Sequence, residues 1–179
     1  MNKIIASFLF LLCLSCNNDD ANDGKLTNLN YDGTGGISCK VNGAVLKPRG
    51  GGMYGNVHFD LEQDFENSNS YIRIGFSHKG DAYDDFKSVD VIGGGIDIHN
   101  VVPQTFDLAA VESASGYGRY FNNNLESNEF YTTDIERGEL KLLHYDSQKH
   151  IVTGTFWFDA INSNGEIVSV TDGRFDIRF

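Results

Sequence analysis

The chain has 179 residues, with 25 acidic and 14 basic side chains, a net charge of −11 and only three cysteines. This length fits one domain, and the negative charge argues against binding to nucleic acid or adsorption to anionic lipid, because both are polyanions. Apolar residues make up 40% of the chain, which excludes wholesale disorder and leaves a small acidic globular domain.

The first fifteen residues have the features of a bacterial export signal. Lys3 supplies a positive charge, and the almost wholly apolar residues 4–14 that follow are too few to span a bilayer as a helix. Ser15 stands directly before Cys16. This pattern resembles the lipobox of bacterial lipoproteins, although Cys13 occupies the position where that family prefers leucine. The alternative is a plain secretory signal in which the cysteines occur by chance.

The lipobox resemblance implies that residues 1–15 are removed and that lipid on Cys16 anchors the protein to a membrane. The polar residues 17–20 resemble the acidic export signals of Bacteroidota lipoproteins, which implies display on the outer face of the outer membrane. The alternative is that residues 17–20 are only part of a solvated linker. Residues 16–36 contain few large apolar side chains, so we expect a flexible tether. Cys39 then has no disulfide partner and is expected to be a small buried residue.

From residue 37 onward, apolar and polar residues alternate with the period of two that is typical of β-strands. Residues 37–41 and 44–46 flank Asn42-Gly43, which favours a type I′ hairpin turn. Residues 103–113 fit either a short helical turn or an edge strand. Further strands are predicted at residues 57–61, 72–76, 89–98, 138–145, 151–160, 167–170 and 174–179. We therefore predict one all-β domain over residues 37–179, an antiparallel β-sandwich or flattened barrel of about nine or ten strands.

Three segments of this domain carry a family resemblance. CKVNG at residues 39–43, GTFWF at 154–158 and TDGRFD at 171–176 resemble a family of small Bacteroidota lipoproteins that is known only as a domain of unknown function. The resemblance implies an all-β secreted domain. It supplies no catalytic residues, because all three motifs are strand and turn motifs.

Motifs for cofactor or metal chemistry are weak. No Gly-x-Ser-x-Gly, His-Glu-x-x-His or Walker-type loop is present, so we expect no cofactor and no catalytic residue. His58 with Asp60 and His144 with Asp146 are each two apart and so share a strand face. They could hold a transition metal if their strands were neighbours, but we expect solvent-facing pairs and no metal. The acidic loop at residues 81–85 could offer oxygen ligands to calcium and is expected to be a turn.

Aromatic residues give the candidate ligand-binding positions. Tyr117 and Tyr120 lie among glycines and asparagines, where an open loop could present their rings to a flat ligand. A sugar suits such a surface, because a ring covers its apolar C–H face while nearby polar groups bind its hydroxyls. The alternative is that both rings pack within the sheet.

The single tryptophan gives a second candidate position. Alternation places Phe156 and Phe158 on the core face of their strand and Trp157 with Asp159 on the other face. An exposed Trp157 beside Asp159 would be a stacking platform with a polar partner. The alternative is that the tether, a loop or a second layer covers Trp157.

The sequence therefore predicts a membrane-anchored, surface-exposed lipoprotein that acts as a non-catalytic binding, adhesion or structural envelope module. Its expected partner is a glycan or another envelope protein, and not nucleic acid. The alternative is a small glycan-active hydrolase, which would need two carboxyl groups about 5 to 9.5 Å apart, one of them with a raised pKa. No pair of acidic residues stands out in the sequence as such a pair.

Overall fold

The computed structural model describes residues 24–50, 55–64, 69–82, 85–95, 103–111 and 116–179. Every regular secondary-structure element in these residues is a β-strand, which confirms the all-β prediction. The eleven strands are β1 (Gly36–Val41), β2 (Ala44–Leu46), β3 (Val57–Asp64), β4 (Asn69–Lys79), β5 (Phe86–Gly94), β6 (Gln104–Leu108), β7 (Gly116–Asn122), β8 (Glu129–Tyr131), β9 (Gly138–Asp146), β10 (Ile151–Ile161) and β11 (Ile167–Arg178). Cys16 and the predicted signal peptide lie outside the described residues.

The strands form one curled antiparallel sheet in the order β2-β1-β11-β10-β8-β7-β5-β4-β3. β10 pairs with β11 along one edge, while its other edge pairs with β9 and, at Ile161, with β8. β6 continues the sheet beyond β9. The result is a half-barrel, sandwich-like fold in which one face of the sheet turns inward. In the part of the chain described here, no helix is long and apolar enough to cross a membrane.

The inward face carries the core. Alternate residues of each strand point inward, as Ile72, Ile74 and Phe76 do on β4, and all three are at most 1% exposed. The other fully buried large side chains are Phe158, Phe175, Leu108, Leu140, Leu142, Val89, Val91, Val152 and Val170. Cys39 lies in the same core, and burial raises the pKa of its thiol. It is therefore a small buried residue, as predicted.

The hairpin and the ambiguous segment have clear outcomes. Asn42 and Gly43 both have positive φ angles, 48° and 83°, as a type I′ turn requires. Residues 104–108 form the edge strand rather than the helical turn. Tyr117 and Tyr120 both lie in β7 and not in an open loop.

The predicted tether ends earlier than residue 36. Thr27 is buried, and the fully buried carboxylate of Asp176 on β11 accepts hydrogen bonds from the backbone N–H groups of Asn30 and Gly33, at 3.1 and 3.0 Å. Thr153 donates a third bond to Asp176 at 2.8 Å. A buried carboxylate needs such donors, and the N-terminal segment supplies two of them. Residues from Thr27 onward therefore belong to the domain, which corrects the predicted boundary.

Candidate ligand-binding groove

A groove of about 520 Å³ crosses the outer face of β3, β4, β5 and β7. On these strands the residues that alternate with the core positions point outward, and most of those that reach the groove are polar or aromatic. The lining residues are Asp60, Glu62, Tyr71, Arg73, Asp90, Ile92, Tyr117 and Arg119.

The strand register aligns four residues of this outer face in one row across the sheet. His58 on β3 pairs with Gly75 on β4, Gly75 with Asp90 on β5, and Asp90 with Arg119 on β7. A Cβ on Gly75 would overlap both His58 Nε2 and Asp90 Oδ1. Because Gly75 has no side chain, His58 reaches across β4 and its Nε2 lies 2.6 Å from Asp90 Oδ1.

Three basic side chains enclose the carboxylate of Asp90, which is only 2% exposed. Besides His58, Arg73 donates to Oδ1 from Nε and Nη2 at 3.2 and 3.0 Å, and Arg119 Nη1 lies 3.9 Å from Oδ2. Burial alone would raise the pKa of Asp90. The hydrogen bond and charge of His58, together with Arg73, outweigh that effect and hold the pKa below its usual value. The groove therefore has a buried, ionised carboxylate at its base.

Arg119 is held by carboxylates of the chain. Its Nη2 donates to Glu129 on β8 at 2.7 Å, and its guanidinium carbon lies 5.9 Å from the ring centroid of Phe121. Its Nε is buried and has no hydrogen-bond acceptor among the described residues. Both arginines of the groove, Arg73 and Arg119, are thus paired with acidic side chains.

Tyrosines and exposed acids complete the lining. Tyr117 is half-buried, and its ring centroid lies 6.4 Å from that of Tyr131. The Tyr71 hydroxyl donates to Glu62, whereas Asp60 makes no hydrogen bond or ion pair with any described residue. Ring faces therefore stand beside carboxylate acceptors and guanidinium donors, a combination that suits a polyhydroxylated ligand.

The structure separates the four ligand-binding residues predicted from sequence. Tyr117 lines the groove. Tyr120 lies on the opposite, core face of β7. It is 4% exposed, its ring centroid lies 5.7 Å from that of Phe130, and burial raises its pKa to about 12. The expectation that Tyr120 meets a ligand from an open loop is therefore corrected, because it lies on the core face of β7.

Trp157 and Asp159 lie together on the outward face of β10, away from the strands that form the groove. Trp157 is 47% exposed, while Phe156 and Phe158 on the opposite face are buried. This agrees with the outward interpretation and not with a covered tryptophan. Glu139 on β9 is its cross-strand neighbour. Trp157 and Asp159 form an open platform on β10, and the role of this platform in binding stays a prediction.

The histidine pairs do not meet. His58 lies on β3 against Asp90, whereas His144 lies on β9 with its ring 6.0 Å from that of Tyr31. No group of three or more potential metal-ligating side chains occurs in the described ranges. In the acidic loop, Asp81 pairs with Arg49, while residues 83 and 84 lie outside the described residues.

Sequence reasoning missed Arg73, Asp90 and Arg119. Alternation does predict an outward side chain for each of them, because their neighbours in sequence are core residues. What the sequence does not contain is the strand order and register that bring all three together. The interruption of an apolar strand by the acidic Asp90 was the one available signal.

Comparison with known proteins gives one match. A family model described as a domain of unknown function (DUF6252) matches residues 95–176. This range includes two of the eight residues that line the groove, Tyr117 and Arg119, and none of those on β3, β4 and β5. No curated protein and no solved structure matches the chain. The chain therefore carries an all-β domain of unknown function, consistent with an uncharacterised family.

Proposed function

We propose that this protein is a lipid-anchored module of the outer membrane that binds glycans without catalysis, and that the groove on β3, β4, β5 and β7 is its binding site. The observation that carries the proposal is the groove itself, which combines the rings of Tyr71 and Tyr117 with exposed carboxylates and paired arginines. Anchoring through Cys16 and display at the cell surface rest on the N-terminal sequence.

The groove can bind a sugar through two complementary contacts. The ring of Tyr117 covers an apolar C–H face of the sugar, and removal of such a contact costs about 1.4 kcal/mol, or tenfold in affinity. The carboxylates of Asp60 and Glu62 accept hydrogen bonds from the sugar hydroxyls. Because the sheet holds these side chains on rigid strands, little ordering is required when the ligand binds.

The hydrolase alternative gains no support from the buried carboxylate. A general acid needs a carboxyl group whose pKa is raised, so that it carries a proton to donate. Asp90 has the opposite property, because His58 and Arg73 hold its pKa below the usual value. The groove therefore favours binding over glycoside hydrolysis.

The test is a glycan array with the full chain purified in detergent. We expect binding to a subset of saccharides, reduced about tenfold or more by Tyr117→Ala. Tyr31→Ala is the matched control, because Tyr31 is 47% exposed but lies in the N-terminal segment outside the groove. Retained binding in Tyr117→Ala with loss in Trp157→Ala would move the site to β10. Failure to bind any saccharide would remove the glycan proposal.

A further inference from the structure

The groove contains two guanidinium groups, and acidic side chains of the protein already pair with both of them. Arg73 donates twice to Asp90, and Arg119 contacts both Glu129 and Asp90. Arginine recognises a carboxylate or sulfate best through a free fork of two N–H donors. A ligand anion that took the donors now bound to Asp90 would have to displace that carboxylate, and uncoupling a carboxylate that is only 2% exposed is costly.

The remaining charges of the lining also oppose an anionic ligand. Asp60 and Glu62 follow each other on the outward face of β3, and both are exposed. Asp60 has no charge partner among the residues that the structure describes. The lining holds three carboxylates against two guanidinium groups, a formal charge of −1. At a few ångströms and in high dielectric, each unpaired carboxylate repels a ligand anion by roughly 1 kcal/mol.

From these charges we propose that the groove selects saccharides without charged groups and excludes uronic acids and sulfated sugars. This inference rests on the proposed function and names its ligand class. A neutral sugar hydroxyl donates to Asp60 or Glu62 and meets no repulsion there. The paired arginines then shape the groove and donate from their remaining N–H groups, rather than acting as an anion receptor.

The experiment compares neutral and acidic oligosaccharides of equal length with the full chain in detergent. Oligogalacturonides and their methyl esters form one matched pair, because they share the same sugar backbone and differ in the charge and in one small methyl group per residue. A panel of neutral and sulfated glucans forms the other pair. We expect the neutral member to bind about tenfold more tightly, with little dependence on salt and with loss of binding in Tyr117→Ala.

The possible results separate the two proposals. Tighter binding of the acidic members that still depends on Tyr117 would overturn the charge preference and leave glycan binding in place. Absence of binding to every saccharide would overturn both. Binding that Tyr117→Ala does not affect would place the site outside the groove, which overturns the charge preference proposed for the groove and leaves glycan binding itself in place.

A charge variant tests the same inference without relying on a buried residue. Asp60→Asn removes one carboxylate from the lining and should raise the affinity for acidic oligosaccharides about two- to fivefold at low salt. Asp107→Asn makes the same charge change on β6, outside the groove, and should have no effect. An equal gain in both variants would attribute the effect to overall net charge and overturn the inference.

Discussion

At the scale of single residues, Asp90 carries more structural consequence than any other polar side chain of the groove. It interrupts the apolar run of β5 with a charge, and that charge is enclosed by His58, Arg73 and Arg119. A buried carboxylate with good partners contributes little net stability, but loss of the carboxylate leaves the cations facing one another. The arrangement of His58, Arg73 and Arg119 across β3 to β7 therefore depends on the carboxylate of Asp90.

Replacement of Asp90 by asparagine should lower the free energy of unfolding by about 2–4 kcal/mol. The reason is that Arg73 and Arg119 would lose their shared counter-ion in a desolvated place, although partial exposure of Arg73 moderates the loss. Urea denaturation of the full chain in detergent measures the change. Asp107→Asn, an exposed acid outside the groove, should change stability by less than about 0.5 kcal/mol. Equal stability of the two variants would contradict the structural role of Asp90.

Acid stability should depend on the same residue. Because the pKa of Asp90 is lowered in the folded state, its ionised form stabilises the fold above the unfolded-state pKa of about 4, and this contribution disappears as pH falls through the lower folded-state value. Thermal unfolding should therefore shift downward below about pH 4, and more steeply in the wild type than in Asp90→Asn. Parallel curves for the two proteins would show that Asp90 is not linked to folding.

At the scale of strands, two glycines allow close packing of side chains, one on the outer face of the sheet and one on its core face. Because Gly75 has no side chain, His58 on β3 can reach Asp90 on β5. Gly118 on β7 likewise leaves space on the inner face, where a Cβ would lie 2.6 Å from Phe158 Cγ. Both positions lie within strands, where glycine is otherwise unfavourable. Their presence reflects close approach rather than a turn.

Gly75→Ala should destabilise the protein by about 1–3 kcal/mol, because its Cβ would force His58 away from Asp90 and press on Val89 O. The measurement is urea denaturation, repeated in a His58→Ala background. Removal of the imidazole takes away one of the overlapping atoms, so the penalty of Gly75→Ala should fall there. An unchanged penalty would assign the whole effect to Val89 O and the backbone, and not to the His58–Asp90 contact.

These glycines also explain where sequence reasoning succeeded and failed. Strong alternation in β4 and β10 was sufficient to predict which side chains form the core and that Trp157 lies on the face opposite the core, whereas Val57 on β3 is 37% exposed. β7 was not predicted as a strand, because Gly116 and Gly118 resemble turn residues when the packing against Phe158 is not known. The groove could not be predicted, since it depends on the register between β3, β4, β5 and β7. That register follows from the curl of the whole sheet.

At the scale of the whole molecule, the protein is an acidic β-domain, and its short N-terminal segment is hydrogen-bonded to the sheet of that domain. The net charge of −11 gives the surface no attraction for anionic lipid. Under the proposed function, membrane association must therefore come from covalent lipid, and two or more chains are needed for stable anchoring.

Cys16→Ala should abolish lipidation and release the protein from the membrane fraction. Palmitate labelling and fractionation of cells that express the full chain measure both effects. Cys13→Ala is the matched control, because the neighbouring cysteine lies before the proposed cleavage point and its loss should leave labelling intact. Persistent label and membrane retention in Cys16→Ala would show that the lipobox assignment is wrong.

The attachment of the N-terminal segment at Asp176 has a mechanical consequence. A pull on the residues before Thr27 first reaches the hydrogen bond that the Thr27 N–H donates to Ser38 on β1, and then the bonds that Asn30 and Gly33 donate to Asp176 on β11. Asp176 lies in β11, which is paired on one side with β1 and on the other with β10. Under the proposed anchoring, tension would thus enter β1 and β11, which are each paired on both sides, instead of peeling a strand from the edge of the sheet.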